Sequence, residues 1–316
     1  MEGGNTSGVN EIMKRRCSLF AVFCSLFIVY SCQTAPSAPE APLGDSGFIP
    51  LEPGGYVYMI ADQDASPIIR HLGFWGDDRQ IQQMVDLTQF AVAAVYRQPA
   101  GEAGSSVNRY RLAAWGDYPV SRAKMALGAS KDWKKQRSAV SGDQYWHSAE
   151  AGISVAITPG RALVSTAAGN QDSSADPFSA LPGTAIPEGF NVFRREAVFS
   201  CWLDNPALVI NQRLEEMGIP IELPAERLFI GLCPADEERY QARLRMQFSS
   251  AAQAKALATI FTFARNFLPS ADSGNVPPLA LILFANPPVP DGNNLDITSA
   301  PLSAGEISLL FRLFSL

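Results

Sequence analysis

The chain has 316 residues, of which 47% are hydrophobic and 18% are charged, and its formal net charge at pH 7 is −6. This acidic balance argues against nucleic acid as a partner, because binding to phosphates is driven by clustered Lys and Arg. The same balance predicts that any membrane contact made by the folded body is apolar and not polybasic. The length allows one large domain or two smaller ones.

Residues 1–31 have the organisation of an export signal. The basic run Lys14–Arg16 precedes about fifteen mostly apolar residues, and the run ends at Cys32 after the small residue Ser31. A helix of that length extends only ~22 Å, which is less than the ~30 Å hydrocarbon core of a bilayer. We therefore predict a cleaved signal and not a permanent membrane span. Because the residues ahead of Met13 are polar, Met13 is the expected start of translation.

The end of this signal, the sequence VYSC at positions 29–32, resembles the lipobox of bacterial lipoproteins in the loose form found in spirochaetes. The resemblance implies that Cys32 becomes the first residue of the mature chain and carries fatty acyl chains such as palmitate. Gln33 follows the cysteine where an aspartate would favour the inner membrane in enterobacteria. We expect a lipid-anchored protein of the cell envelope, at the outer membrane. The alternative is an ordinary secretory signal with an unmodified cysteine.

Residues 32–55 are rich in Pro, Ala, Gly and Ser and show no periodic apolar pattern. Such a composition is typical of a flexible, semi-extended linker. At ~3 Å per residue, some twenty residues reach roughly 60 Å. The linker is therefore long enough to hold the body clear of the membrane or to let it fold back.

The body shows the same order of predicted elements twice, at residues 56–168 and 196–316, with a connecting loop at 169–195. Each half is predicted to be strand, helix, strand, strand, helix, strand, strand. We therefore predict an α+β fold with α/β/α-like layers, built by tandem duplication of a β-α-β-β-α-β-β unit. The alternative is two unrelated α+β domains.

The predicted elements have clear local signals. Each half begins with a short apolar run followed by a helix whose first proline is preceded by a capping residue, Ser66 or Asn205. In the first half, the further elements are strands Gln89–Arg97 and Arg109–Gly116, helix Val120–Trp133, and strands Ile153–Ile157 and Ala162–Thr166. In the second half, they are strands Arg227–Cys233 and Tyr240–Phe248, helix Ser250–Leu268, and strands Leu279–Ala285 and Asn294–Ser299.

Two helices of the second half are apolar on more than one narrow stripe. One begins at the capping-box pattern Ser250–Gln253, and the other begins at the box Ser303–Glu306, with Leu302 and Ile307 placed as a hydrophobic staple. A helix that is apolar on most faces lies either in a core or against lipid or a partner. For the lipid alternative, the predicted contact residues are Leu257, Ile260, Phe261, Phe263, Phe267, Ile307, Leu310, Phe311 and Phe314.

After cleavage, two cysteines remain besides the acylated Cys32. Cys201 and Cys233 lie in apolar strand-like runs, in a compartment where disulfides are stable. The sequence leaves two alternatives open. The two residues either form a disulfide or remain as buried free thiols.

The sequence gives little support for an enzyme, a cofactor or a metal site. His71 and His147 have no metal-ligand partner at a suitable spacing, so each is interpreted as a surface or partly buried imidazole. The run Ser121–Lys124 matches a Ser-x-x-Lys pattern, but the elements that accompany it in penicillin-interacting enzymes are absent. We predict a non-enzymatic protein.

Aromatic residues of the first half offer a second hypothesis. They fall near loops and at the ends of elements, where amphipathic rings suit either core closure or a partner surface. They are Phe74, Trp75, Trp115, Tyr118, Trp133, Tyr145 and Trp146.

Two functions therefore follow from the sequence. The first is binding to lipid or the membrane surface through the apolar helices, and it is supported by a weak resemblance to treponemal outer-membrane-associated lipoproteins with amphipathic helices. That resemblance depends on the predicted lipid anchor at Cys32 and on the apolar character of the two helices. The second is an interaction with another envelope or host protein through an aromatic-rich face.

Overall fold

A computed structural model describes residues 48–71, 85–97, 108–166, 176–178, 183–207, 210–211, 222–236, 238–267 and 285–313. The predicted signal, Cys32 and most of the predicted linker lie outside these residues. The described residues form two compact units, one from 48–54 and 85–184 and one from 55–71 and 185–313. Both contain helices and antiparallel strands, so the fold is α+β, as predicted.

The strands are β1 (Phe48–Ile49), β2 (Val57–Asp62), β3 (Thr88–Arg97), β4 (Asn108–Gly116), β5 (Lys134–Arg137), β6 (Gln144–Ser148), β7 (Ile153–Thr158), β8 (Arg161–Thr166), β9 (Thr184–Ala185), β10 (Phe199–Asp204), β11 (Arg227–Asp236), β12 (Arg239–Gln247), β13 (Val289–Asp291) and β14 (Asn294–Ser303). The α-helices are α1 (Ser66–His71), α2 (Val120–Ala129), α3 (Phe190–Arg194), α4 (Ala251–Phe267) and α5 (Ala304–Leu313). A short 3₁₀ turn, Gln63–Ala65, precedes α1.

The first unit contains an antiparallel sheet with the strand order β3-β4-β8-β7-β6-β5. Helix α2 follows β4 and packs on β7. The core between the helix and the sheet includes Leu127 from α2, Val155 and Ile157 from β7, and the rings of Trp133 and Trp146. Strand β5 begins directly after Trp133, and Trp146 is the central residue of β6. Neither strand was predicted from the sequence.

The second unit contains an antiparallel sheet with the strand order β13-β14-β12-β11-β10-β2. Strand β2 pairs with β10 from Val57 opposite Leu203 to Ala61 opposite Phe199. The predicted boundary assigned β2 to the first repeat, whereas the structure groups it with the second. The physical reason is this ladder of backbone hydrogen bonds, which a boundary drawn along the sequence does not reveal.

Strand β12 shows how this sheet separates its two faces. Its buried residues alternate with less buried ones, as the two-residue period of a strand requires, and Ala242, Leu244 and Met246 point into the core. On the other face, Arg245 donates two hydrogen bonds of 2.7 Å to its cross-strand partner Asp296. At β12 the sheet therefore has an apolar face covered by other elements and a polar face.

Strand β11 is buried on both faces. Phe190 of α3 packs edge-on against Phe229 of this strand at 5.2 Å and against Trp202 of β10 at 4.8 Å, measured between ring centroids. A side chain at Gly231 would come within 3.0 Å of the Phe193 ring, so glycine leaves the space that α3 fills. This packing explains why β11 is a continuous apolar run and not an alternating one.

The two units share a topology. In each, a hairpin and a helix come before a second hairpin, and in the first unit β5 and β6 also precede that second hairpin. The last strand of the second hairpin lies beside the second strand of the first, in the orders β3-β4-β8-β7 and β11-β12-β14-β13. A duplicated module would have this shared order, and duplication stays a prediction. The predicted strand Leu279–Ala285 lies outside the described residues except for its last residue, and β13 was not predicted.

Two predicted helix caps differ from what the structure shows. The hydroxyl of Ser66 donates to the carbonyl of Gln63 at 2.7 Å, so Ser66 closes a 3₁₀ turn and does not cap α1. Asn205 has a φ of 52°, in the left-handed region that asparagine tolerates better than most residues. The amide of Ile210 donates to the carbonyl of Pro206 at 2.8 Å, so a helical turn does begin at this proline.

The end of the predicted linker belongs to the folded body. Ile49 and Leu51 are 0% and 2% exposed. Glu52 forms ion pairs with Arg109 and Arg111 of β4, and the second of these guanidinium groups is buried. The prediction that residues up to 55 are flexible is therefore wrong from residue 48 onward, because apolar burial and this ion cluster fix the segment to the first unit.

Candidate membrane-contact surface

Helix α4 begins within one residue of the predicted position. The amide of Gln253 donates to the hydroxyl oxygen of Ser250 at 3.4 Å, which satisfies one of the free N–H groups at the start of the helix. The Gln253 side chain is hydrogen-bonded to the hydroxyl of Ser249 at 2.6 Å and does not return to Ser250. Half of the predicted capping box is therefore present.

One side of α4 is part of the core. Ala254, Leu257 and Ala258 are 0%, 5% and 6% exposed, and the helix packs on β13 and β14. The spacing of three and four residues places these side chains on one face. Leu257, which was predicted to contact lipid, is a core residue because it lies on this face.

The opposite side of α4 is exposed and mostly apolar. Ile260 is 47% exposed and Phe263 is 63% exposed. Ala252 and Ala256 are also exposed and lie on the same stripe, at spacings of four, four and three residues from one another and from the two larger side chains. We call these four residues the α4 stripe. The two alanines were missed at the sequence level, although their spacing from Ile260 was a usable signal.

The two threonines beside the α4 stripe bond within the helix. The hydroxyl of Thr259 donates to the carbonyl of Lys255 at 2.9 Å, and the hydroxyl of Thr262 donates to the carbonyl of Ala258 at 2.8 Å. A polar group that enters an apolar medium costs free energy unless it is hydrogen-bonded. Because these hydroxyls already have acceptors, this face of the helix can leave water at a lower cost.

Helix α5 has a complete capping box. The backbone amide and the hydroxyl of Ser303 each donate to a carboxylate oxygen of Glu306 at 2.8 Å, and the amide of Glu306 donates to the hydroxyl oxygen of Ser303 at 3.3 Å. These hydrogen bonds from Ser303 lower the pKa of the Glu306 carboxyl below its ordinary value. The predicted start of this helix is confirmed.

The apolar side of α5 faces the core. Ile307 is fully buried and Phe311 is 3% exposed, and the Phe311 ring packs at 87° against Phe199 with 5.1 Å between centroids. Helix α5 also packs against α1. The prediction that Ile307 and Phe311 contact lipid is wrong for this fold, because sheet and helix already cover them.

The remaining residues predicted to contact lipid fall into two groups. Phe261 is half-buried, between the exposed and the core side of α4. The side chains of Phe267 and Leu310, and the whole of Phe314, lie outside the described residues. Of the predicted set, the structure therefore places Ile260 and Phe263 at the surface.

The two cysteines of the body are buried and free. Cys201 lies opposite Ile230 in the register of β10 and β11, so these two side chains share a face of the sheet. Cys233 is three residues beyond Ile230 and therefore points to the other face. The structure thus holds the free-thiol alternative, and burial raises the pKa of both thiols.

The aromatic residues of the first half do not form an exposed face. Those within the described residues are between 2% and 7% exposed, namely Trp115, Tyr118, Trp133, Tyr145 and Trp146. The hydroxyl of Tyr118 is hydrogen-bonded to Thr88 at 2.9 Å, and burial raises the pKa of Tyr118 to about 12. The prediction of a partner surface is wrong for these five because all are buried, and Tyr118, Trp133 and Trp146 belong to the core between the sheet and helix α2. Phe74 and Trp75 lie outside the described residues.

The described residues contain no cluster of three or more side chains that could hold a metal ion. His147 is 6% exposed, and its Nδ1 lies 3.0 Å from the hydroxyl of Ser154. Burial lowers the pKa of this imidazole. The side chain of His71 lies outside the described residues. Within the described part of the chain, no helix is long and apolar enough to cross a bilayer.

Comparison with known proteins identifies the fold. No protein-family model and no curated protein matches the chain. Crystal form III of TP0453 matches with a TM-score of 0.56 and 16% identity, over 84% of this chain and 97% of that protein. Crystal form IV gives 0.56 and 15%, over 82% and 93%, and form I gives 0.55 and 16%, over 85% and 99%.

The chain has the fold of TP0453. That protein is a treponemal envelope lipoprotein. At 15–16% identity the likeness shows the fold alone. It extends over both units, since it covers more than four-fifths of the chain.

Proposed function

We propose that this protein is a non-enzymatic lipoprotein of the outer membrane, held by acyl chains on Cys32, whose body contacts lipid through the α4 stripe. The observation that carries the proposal is the exposure of Ile260 and Phe263 on a helix whose other side is firmly packed. The envelope location is supported by the export signal, the lipobox and the shared fold with a treponemal lipoprotein.

The size of the α4 stripe suits a contact that orients the body and does not anchor it. Full burial of one Ile or Phe side chain contributes about 1.5–3 kcal/mol. Two such side chains give only weak, reversible partitioning, as a single acyl chain also does. The acyl anchor keeps the body close to the bilayer, so even this weak contact becomes effective through a high local concentration.

The second function predicted from the sequence, a protein contact through an aromatic-rich face, has less support. Five of its seven residues are buried in the core. Lipid contact through α4 is therefore the function that the described surface favours.

Vesicle flotation tests the proposal. The protein is the mature chain, residues 32–316 with Cys32→Ser, so that the residues near position 50 remain in place. The vesicles are phosphatidylcholine, which excludes a contribution from net lipid charge. We expect the parent to co-float, and we expect Ile260→Ser with Phe263→Ser to lower the bound fraction about tenfold or more.

Val192→Ser is the matched control, because Val192 is 66% exposed on α3 and lies outside the α4 stripe. This control should float like the parent. If the double variant also floats like the parent, or if the parent does not float, the α4 stripe does not contact lipid.

Acylation is tested separately in cells. Incorporation of labelled palmitate into the full chain should be abolished by Cys32→Ala. Persistent label in that variant would show that the lipobox is not used.

A further inference from the structure

A basic surface lies on the first unit, whereas the α4 stripe belongs to the second. Residues 120–137 contain six cationic side chains and one carboxylate, Asp132, which is an excess of five positive charges in a chain whose net charge is −6. The cations are Arg122, Lys124, Lys131, Lys134, Lys135 and Arg137. The net charge of the whole chain does not reveal this local excess. The prediction that any membrane contact is apolar and not polybasic was made from that net charge.

The fold brings two parts of this stretch together. Lys124 of α2 and Arg137 of β5 line the same hollow of about 260 Å³, together with Gly142, Asp143 and other residues of the β5–β6 hairpin and β7. The helix and the hairpin therefore form one continuous surface. Asp143 is the carboxylate in the hollow, so the cations there outnumber the anions by two to one.

Most of these cations are open to solvent. Lys131, Lys134, Lys135 and Arg137 are exposed, and Lys124 is half-buried. Among the described residues, no ion pair involves any of these five side chains. Their charge is therefore not neutralised by the part of the fold that the structure describes.

Two large apolar side chains stand among the cations. Met125, next to Lys124 on α2, is 74% exposed, and Val140, in the turn between β5 and β6, is 62% exposed. Exposed apolar side chains beside lysines match the chemistry of a bilayer surface, where charges meet headgroups and apolar atoms reach the acyl boundary.

We propose that this basic surface, composed of Lys124, Met125, Lys131, Lys135, Arg137 and Val140, docks on the headgroups of anionic phospholipids. Lys134 is not part of it, because it lies opposite His147 and therefore points to the other face of the sheet from Lys135 and Arg137. Three of the four cations are lysines, which act as point charges, whereas specific recognition of carboxylates or phosphates favours the fork of arginine. The proposal depends on the envelope location in the proposed function. It assigns a second contact, electrostatic and on different residues from those of α4.

Edge-strand protection accounts for only part of this pattern. Strand β5 is the terminal strand of its sheet, and lysines there discourage pairing with another sheet. That role covers Lys134 and Lys135. It does not explain Lys124 and Lys131, which lie outside the strand, or the exposure of Met125.

The test compares binding to phosphatidylcholine vesicles with and without phosphatidylglycerol, using residues 32–316 with Cys32→Ser. The variant Lys124→Gln, Lys131→Gln, Lys135→Gln removes three charges from this surface, two of them at exposed positions. Each lysine near an anionic surface strengthens binding up to about fivefold, so we expect the variant to bind phosphatidylglycerol vesicles at least about tenfold more weakly. Raised salt should remove the same increment from the parent.

Two controls isolate charge at this surface. The same three positions changed to Arg keep the charge and should bind like the parent. Arg195→Gln removes an exposed charge from the second unit and should have no more than a small effect. Circular dichroism confirms that the variants are folded.

The outcomes distinguish this proposal from the α4 contact. If the triple Gln variant binds phosphatidylglycerol vesicles like the parent, the basic surface does not dock on lipid, whatever α4 does. If polyglutamate binds the parent as tightly as the vesicles do and displaces them, the surface is one for acidic protein and the proposal is overturned. If the α4 variant no longer binds pure phosphatidylcholine vesicles, that result supports the contact of the α4 stripe. It does not bear on the basic surface.

Discussion

Helices α4 and α5 have similar compositions, but their large apolar side chains differ in burial. Both begin at a Ser-x-x-Gln or Ser-x-x-Glu box, and both carry large apolar side chains on several faces. In α5 the large side chains Ile307 and Phe311 are buried, whereas in α4 Ile260 and Phe263 are exposed. The difference teaches that the width of an apolar surface does not tell which side of a helix the fold will cover.

The two helices pack on different sets of elements. Helix α5 packs against both β14 and α1, and its Phe311 meets Phe199 of β10. Helix α4 packs on β13 and β14. Helix α1 packs against α5, whereas Ile260 and Phe263 of α4 are 47% and 63% exposed.

The largest expected effect is on stability. Phe311→Ala leaves a cavity beside Phe199 and should lower the free energy of unfolding by about 3–5 kcal/mol. Phe263→Ala removes a ring of similar size from an exposed position and should cost about 0.5 kcal/mol or less. Urea unfolding of both variants measures the comparison directly. Equal costs would mean that the two helices are covered alike.

The capping boxes should differ by a smaller amount. Ser303→Ala removes the two hydrogen bonds of the hydroxyl, one to the Glu306 carboxylate and one from the Glu306 amide, and should cost about 1–2 kcal/mol. Ser250→Ala removes one long hydrogen bond and should cost about 0.5–1 kcal/mol. The same unfolding experiment applies. A larger cost for Ser250→Ala would contradict the assignment of the complete box to α5.

The smallest effect concerns pH. Because the pKa of Glu306 is lowered in the fold, its contribution to stability is present above the ordinary glutamate pKa and is lost as the pH falls through the lowered pKa. In α4 the corresponding residue is Gln253, which does not titrate. Acid should therefore loosen the start of α5 and leave the start of α4 intact, and amide hydrogen exchange as a function of pH can compare them. Glu306→Gln should remove the pH dependence at α5.

The sequence predicted most strands of the two hairpin pairs to within a few residues, because alternating or apolar runs bounded by turn residues are strong local signals. It missed β5, whose sequence KKQR has no apolar side and lies at a sheet edge. It also missed the packing of Leu51 and the ion pairs of Glu52, which depend on β4, more than fifty residues away. A proline-rich composition indicates that a segment has no regular structure of its own. It does not show whether the segment packs on another part of the fold.

The candidate site was also predictable only in part, because local sequence patterns show which residues share a face of a helix but not whether that face is covered. Ile260 and Phe263 were among the expected lipid contacts, and so were Ile307 and Phe311, which are core. Tryptophans near predicted loops were likewise assigned to a surface and proved to be buried. Periodicity defines the faces of an element, and only the tertiary arrangement decides which face remains exposed.

The most direct test of the central claim is the depth of the α4 stripe in a bilayer. Position 263 is changed to cysteine and labelled with a small fluorophore, and Val192→Cys gives the matched label at another exposed apolar position. The buried thiols of Cys201 and Cys233 should not react in the folded protein. With phosphatidylcholine vesicles brominated on the acyl chains, we predict quenching of the label at 263 and none at 192. Equal quenching at both positions, or none at 263, would contradict the proposal that α4 contacts lipid.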